Sequence, residues 1–166
     1  MNRLCRSMAT VALLVAGAAF AGPALAQPSI KDQIAGPWTL VSIKAGNAEP
    51  YGPNPKGAMF LAPGGQFSIT IVRDGIPRFA SDNRTTGTDA ENKAAVLGSL
   101  AYFGTYTVSD KDQIIDMTIT AATYPNFNGT RQNRRFALSG DELTLTNPSP
   151  SGGGGGGAVQ VWRRAK

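Results

Sequence analysis

Two arginines stand in apolar company. Arg73 ends the alternating stripe Phe67, Ile69, Ile71, and Arg134 shares a face with Phe136 and Leu138. If those stripes line an interior, strand alternation carries the guanidinium groups inward with them. A charge held there without a partner is costly, so each would need an acidic neighbour or an anionic ligand. Together they could hold a carboxylate or phosphate head group by charge-assisted hydrogen bonds. The plainer reading of Arg73 is a strand end that reaches solvent or Asp74, and Arg134 carries the same ambiguity. Tyrosines supply the second chemistry. Tyr102 and Tyr106 share one face of their segment, and Phe103, Thr105 and Thr107 share the other. A tyrosine wall is apolar with a hydroxyl at its tip, which suits an amphipathic ligand and equally suits ordinary core packing. Tyr124 and Phe127 fall in a connecting segment, where aromatic rings have less packing reason to be, and so become candidates for the rim of a pocket.

What is missing narrows the chemistry further. The chain has no histidine, and its single cysteine, Cys5, sits near the N-terminus. Ser-His-Asp and Cys-His catalysis, His or Cys metal sites, His-ligated haem and disulfides are thereby excluded from the domain that follows. No cofactor is expected, and any activity must use carboxylates, Arg, Lys, Tyr, Ser, Thr, Asn or a cavity. Asp110, Asp112 and Asp116 lack the spacing and glycine of a calcium loop. The glycines from Gly152 to Gly157 lack the Lys-Ser/Thr of a phosphate loop and read as a hairpin connection. Asp74, Asp82, Asp89 and Glu91 cluster in sequence without suggesting a general acid and base.

Residues 1–26 have the pattern of a secretion signal: basic Arg3 and Arg6, an apolar run from Ala9 to Phe20, and the small-residue end Ala24-Leu25-Ala26. Cleavage after Ala26 leaves residues 27–166 as one domain, periplasmic or secreted. The apolar run is well short of the roughly 20 residues that cross a bilayer, so no membrane span is expected. Of 16 Lys and Arg, loss of Arg3 and Arg6 leaves 14 against 11 Asp and Glu, a net charge of +3 rather than +5. That balance removes the main support for a nucleic-acid partner.

The elements that must position these residues are strands. Apolar residues alternate over Pro37–Lys44, Ala58–Leu61, Gln66–Arg73, Ala101–Ser109, Gln113–Ala121, Arg131–Leu138, Glu142–Thr146 and Ala158–Arg164. In the first of these, Trp38, Leu40 and Ser42 share one face, and Thr39, Val41 and Ile43 the other. One helix is expected from Asp89 to about Leu97, because Thr88 can cap it with Glu91 three residues on. Prolines and glycines make Ala48 to Gly57 a loop. Eight antiparallel strands in meander order favour an up-and-down barrel over a sandwich, since pairing the last strand with the first removes both edges. Such a barrel has room for side chains or one small ligand.

The ends of the domain then resemble a known arrangement. Gly36-Pro37-Trp38 near the start and Val161-Trp162-Arg163-Arg164 at the end look like the lipocalin and calycin pattern, which implies a first-strand Trp packed against a last-strand Arg at the closed end. Here that pair is Trp38 with Arg163 or Arg164, and Arg163 is the expected partner. The middle resembles the lipocalin-like domain family of bacterial and fungal proteins through Tyr51-Gly52-Pro53-Asn54-Pro55-Lys56-Gly57, Ala101-Tyr102-Phe103-Gly104-Thr105-Tyr106, Pro125-Asn126-Phe127-Asn128-Gly129-Thr130 and Gly140-Asp141-Glu142-Leu143-Thr144-Leu145. Members often carry a His on the strand that here reads Ile115-Asp116-Met117-Thr118, and no role of that His transfers. The resemblance implies an eight-stranded lipocalin-type barrel over nearly all of Ile34 to Arg164. The leading expectation is binding of a small hydrophobic or amphipathic molecule. A barrel enzyme using Tyr, Arg and carboxylate groups, and a barrel simply filled by its own side chains, stand beside it.

Overall fold

In the computed structural model, which describes residues 28–150, 152 and 157–166, each strand pairs antiparallel with the next and the last returns to the first. The segment 1–26, read as an export signal, lies outside the described residues. In chain order the elements are α1 (Ile30–Ile34), β1 (Gly36–Lys44), β2 (Lys56–Leu61), β3 (Gln66–Val72), α2 (Asp89–Gly98), β4 (Ser99–Ser109), β5 (Ile114–Ala122), β6 (Arg131–Ser139), β7 (Glu142–Asn147) and β8 (Ala158–Arg164). The barrel is closed in the order β1 to β8. No described helix is long and apolar enough to cross a membrane.

Alternation works along most strands as elementary pleating requires. On β3, Phe67, Ile69 and Ile71 are buried; on β4, Tyr102 and Tyr106; on β5, Ile115, Met117 and Ile119. β1 departs from it. Leu40 pairs with Trp162 and Ser42 with Val161, so Val41 is an extra residue. This bulge turns Ile43 to the interior, 3% exposed, although strict alternation puts it opposite Trp38. β3 also stops one residue early. The Arg73 amide still donates to the Gly98 carbonyl at 2.7 Å, which continues the β3–β4 register onto the last residue of α2.

Two helical turns were not expected. α1 is a single five-residue turn, too short for a readable period, capped by Ser29, whose hydroxyl accepts from the Asp32 amide. A 3-10 turn at Pro125–Phe127 interrupts the β5–β6 connection. α2 forms where the capping box marks it. The Glu91 carboxylate accepts from the Thr88 and Ala80 amides at 2.7 and 2.8 Å, and the Thr88 hydroxyl accepts from the Glu91 amide. The Ala80 bond first, then the two from Thr88, holds the Glu91 carboxyl below the usual carboxylate range. Stability from this group is present above its ordinary pKa and is lost as the pH falls through the lowered one. Thr88→Ala is expected to cost about 1 kcal/mol in denaturant unfolding, and Glu91→Gln to flatten the acid limb of the stability profile. An unchanged acid limb in Glu91→Gln would count against this arrangement.

Candidate functional site

The two ends of the barrel are built differently. At one end Trp38, 1% exposed, donates from Nε1 to the Ile34 carbonyl at 2.8 Å. The Arg164 guanidinium stacks on its ring, 4.3 Å from the centroid, and donates to the Ala35 and Gln33 carbonyls at 3.1 and 2.5 Å. α1 is thus fastened across the end of the barrel. Arg163, the expected partner, is instead exposed on the outer wall opposite Glu142 and Thr39. The reason is parity: Ala158, Gln160 and Trp162 face inward, so the even position Arg164 follows them in. Tyr106 belongs to this closed end too. Its hydroxyl donates to the Ala62 carbonyl at 2.9 Å, and Lys31 of α1 lies 5.7 Å from its ring.

At the opposite end four rings run inward from the rim. Tyr124 meets Phe127 edge-on at 5.1 Å, Phe127 meets Tyr102 at 6.0 Å, and Tyr102 meets Phe67 at 5.9 Å. Tyr124 is half-buried, with its hydroxyl accepting from Asn126 Nδ2, and Phe127 is buried by the 3-10 turn that carries it. These geometries are the preferred ones for aromatic pairs.

Beside this file of rings lies Arg134, only 2% exposed. Its Nη2 donates to Gln132 Oε1 and its Nη1 to the Asn133 carbonyl at 3.3 Å. Burial pushes the Tyr102 phenol up, an effect that the neighbouring Arg134 guanidinium works against. Burial also pulls Arg134 down from its ordinary value, and Tyr102 opposes that shift. Tyr51, in the β1–β2 loop, is raised by burial and by Tyr102, with Arg73 pulling it the other way. Arg73 itself is exposed at the rim and donates from Nη2 to the Pro50 carbonyl at 2.6 Å. The two arginines therefore do not share one interior face. Arg134 is the inward one, and Arg73 braces the loop that carries Tyr51.

Sequence reasoning missed Tyr51 and Gln132, and it held Arg164 only as the alternative to Arg163. Gln132 was available from alternation, since it precedes Arg134 by two on the same strand. Tyr51 lies in a proline-rich loop, where no period reveals which way a ring turns. The arrangement can donate hydrogen bonds to an acceptor placed among the rings. Proton abstraction suits it poorly, because a phenol is protonated at neutral pH and burial pushes Tyr51 and Tyr102 further from ionising. A separate recess of about 280 Å³ opens on the wall between β3, β4 and β5, beside exposed Phe103.

An eight-stranded up-and-down barrel, sealed at one end by a Trp and an Arg, is an architecture that can hold a small ligand. The chain belongs to the lipocalin-like domain family, whose model matches residues 35–165. It is similar to the 4'-hydroxy-3'-methoxypropiophenone carrier protein of Aspergillus oryzae, 30% identical over 105 residues that cover 58% of this chain and 95% of that one. Among solved structures it resembles an uncharacterised protein from Bacteroides eggerthii at 13% identity, covering 79% of this chain and 98% of that chain with a TM-score of 0.41.

Proposed function

We propose that this protein is an exported carrier that takes a small, largely apolar ligand into the end of the barrel bounded by Tyr51, Tyr124 and Phe127. The observation that carries the reading is the file of rings from Tyr124 to Phe67, which runs beside a buried guanidinium. Rings offer an apolar wall, and Arg134 with Tyr102 offers donors for one polar end of the ligand. The Aspergillus relative is named as the carrier of an aryl ketone, a molecule with that division of ring and acceptor oxygen. Export rests on the residues of the N-terminal segment. Phe127 and Tyr124, held on a short turn outside the strands, are the groups that would yield to an entering ring.

Native mass spectrometry of the protein purified from its own cells tests the reading. A co-purified aromatic or amphipathic molecule is expected, as is quenching of tryptophan fluorescence when 4'-hydroxy-3'-methoxypropiophenone is titrated in. Absence of both results would overturn the carrier reading. N-terminal sequencing of the same material, starting at Gln27, would establish export.

A further inference from the structure

Arg134 presents a buried charge with no carboxylate beside it. All 11 Asp and Glu of the chain lie among the described residues, and none pairs with it. Asp116, on the neighbouring strand, is opposite Asn133 and faces outward, where it pairs with Arg131 at 3.4 Å. The guanidinium has five N–H donors, and its acceptors here, the Gln132 carboxamide, the Asn133 carbonyl and the Tyr102 phenol oxygen, are all neutral. A guanidinium taken out of water without an opposite charge beside it is costly, so an arriving anion would gain from meeting it.

The shape of the group narrows that partner. One planar fork matches a carboxylate through two parallel hydrogen bonds. A phosphate dianion would call for a second inward cation, and Arg73 is outside, on the Pro50 carbonyl. Gln132 Oε1 already occupies one of the positions that a carboxylate oxygen would take. Tyr102, which bonds to Arg134, packs edge-on against both Phe67 and Phe127, so the groups next to the guanidinium are aromatic.

We propose that Arg134 receives the carboxylate of a monoanionic, aryl-bearing organic acid, and that Gln132 holds the guanidinium until the acid displaces it. The inference rests on the carrier reading above and specifies its ligand class. Arg134 fixes the orientation: the acid enters first and the aryl body remains among the rings nearer the rim. Gln132 is a specificity-determining residue, because a carboxylate at that position would satisfy the guanidinium from within.

The test compares 3-phenylpropanoate with its neutral isostere 4-phenylbutan-2-one by calorimetric titration of the purified protein. The acid is expected to bind the wild type at least about tenfold tighter, and Arg134→Gln to lose about thirtyfold or more for the acid but only about fivefold for the ketone, which gives up one neutral acceptor's hydrogen bond rather than an ion pair. Gln132→Glu keeps the test independent of whether Arg134→Gln folds. It is expected to raise the melting temperature, weaken the acid about tenfold or more, and weaken the ketone several-fold less than the acid. Equal binding of acid and ketone to the wild type, or equal losses of both in Gln132→Glu, would overturn the anion assignment and leave the carrier reading standing. If neither probe binds and nothing co-purifies with the protein, the carrier reading falls and this inference falls with it.

Discussion

Trp38→Ala is expected to destabilise the domain by about 3–5 kcal/mol, the range for removing a large buried aromatic side chain. For a domain of this size that corresponds to a fall in melting temperature of roughly 10–20 °C. The ring is 1% exposed and does three things at once. It fills the closed end of the barrel, it donates to the Ile34 carbonyl, and it gives the Arg164 guanidinium a face to stack on. With the ring gone, Arg164 keeps its bonds to Gln33 and Ala35 but has a cavity beneath it, and α1 loses its tie to β1. Trp38→Phe separates the contributions. It keeps a ring and loses the donor, so a smaller cost of about 1–2 kcal/mol is expected, that of leaving one buried carbonyl unpaired. In a double-mutant cycle, Trp38→Phe and Arg164→Ala should couple, whereas Trp38→Phe and Arg163→Ala should add. Coupling to Arg163 instead, or a wild-type melting temperature in Trp38→Ala, would show that this end is held some other way.

That experiment turns on the difference between adjacent arginines, and it shows where sequence reading reaches and where it stops. Alternation placed all eight strands to within two residues and put Tyr102 and Tyr106 on one face. It stopped short of saying which face is inside, because Phe103, Thr105 and Thr107 are a chemically acceptable interior as well. On β8 the arginine parity follows once Trp162 is known to point inward, and only the closed barrel settles that. The bulge at Val41 could not be read at all. It inserts one residue into β1 without a glycine or proline to mark it, and everything beyond it, Ile43 included, changes sides. The candidate site was legible through its one anomaly, a charge in an apolar stripe at Arg134. The stripe at Arg73 looked the same in sequence and ended differently: its amide still pairs in register with Gly98, but its guanidinium reaches out to the Pro50 carbonyl of the β1–β2 loop. A strand's last residue is the one position where alternation ceases to constrain a side chain. Tyr51 was beyond reach for the opposite reason, since a loop has no period.

Gly104→Ala is expected to be among the most damaging small substitutions in the chain, costing about 3 kcal/mol or more. Gly104 lies where the pairing of β4 and β5 slips. Phe103 is opposite Ala121 while Gly104 is opposite Ile119, so Thr120 is an extra residue on β5. The two backbones approach so closely that a Cβ on Gly104 would fall 2.0 Å from the Thr118 carbonyl oxygen and 2.9 Å from the Thr120 amide nitrogen. Those are backbone atoms of a paired strand, so no rotamer change relieves the overlap and β5 must shift. The shift would not stay local. Ile119 donates to the Thr130 carbonyl and accepts from the Gly129 amide, both at 2.9 Å, and these bonds hold the turn that carries Tyr124 and Phe127. The domain should therefore lose stability in denaturant titration, and hydrogen exchange at Ile119 and Gly129 should accelerate more than at Trp38 or Leu143. Gly152→Ala, with nothing within 4 Å of the added carbon, is the matching control and should change stability by no more than about 0.5 kcal/mol. A wild-type denaturation midpoint in Gly104→Ala would mean that β4 and β5 lie farther apart than described. The rim aromatics would then have to be positioned without the slip in pairing that now directs their loop over Tyr102.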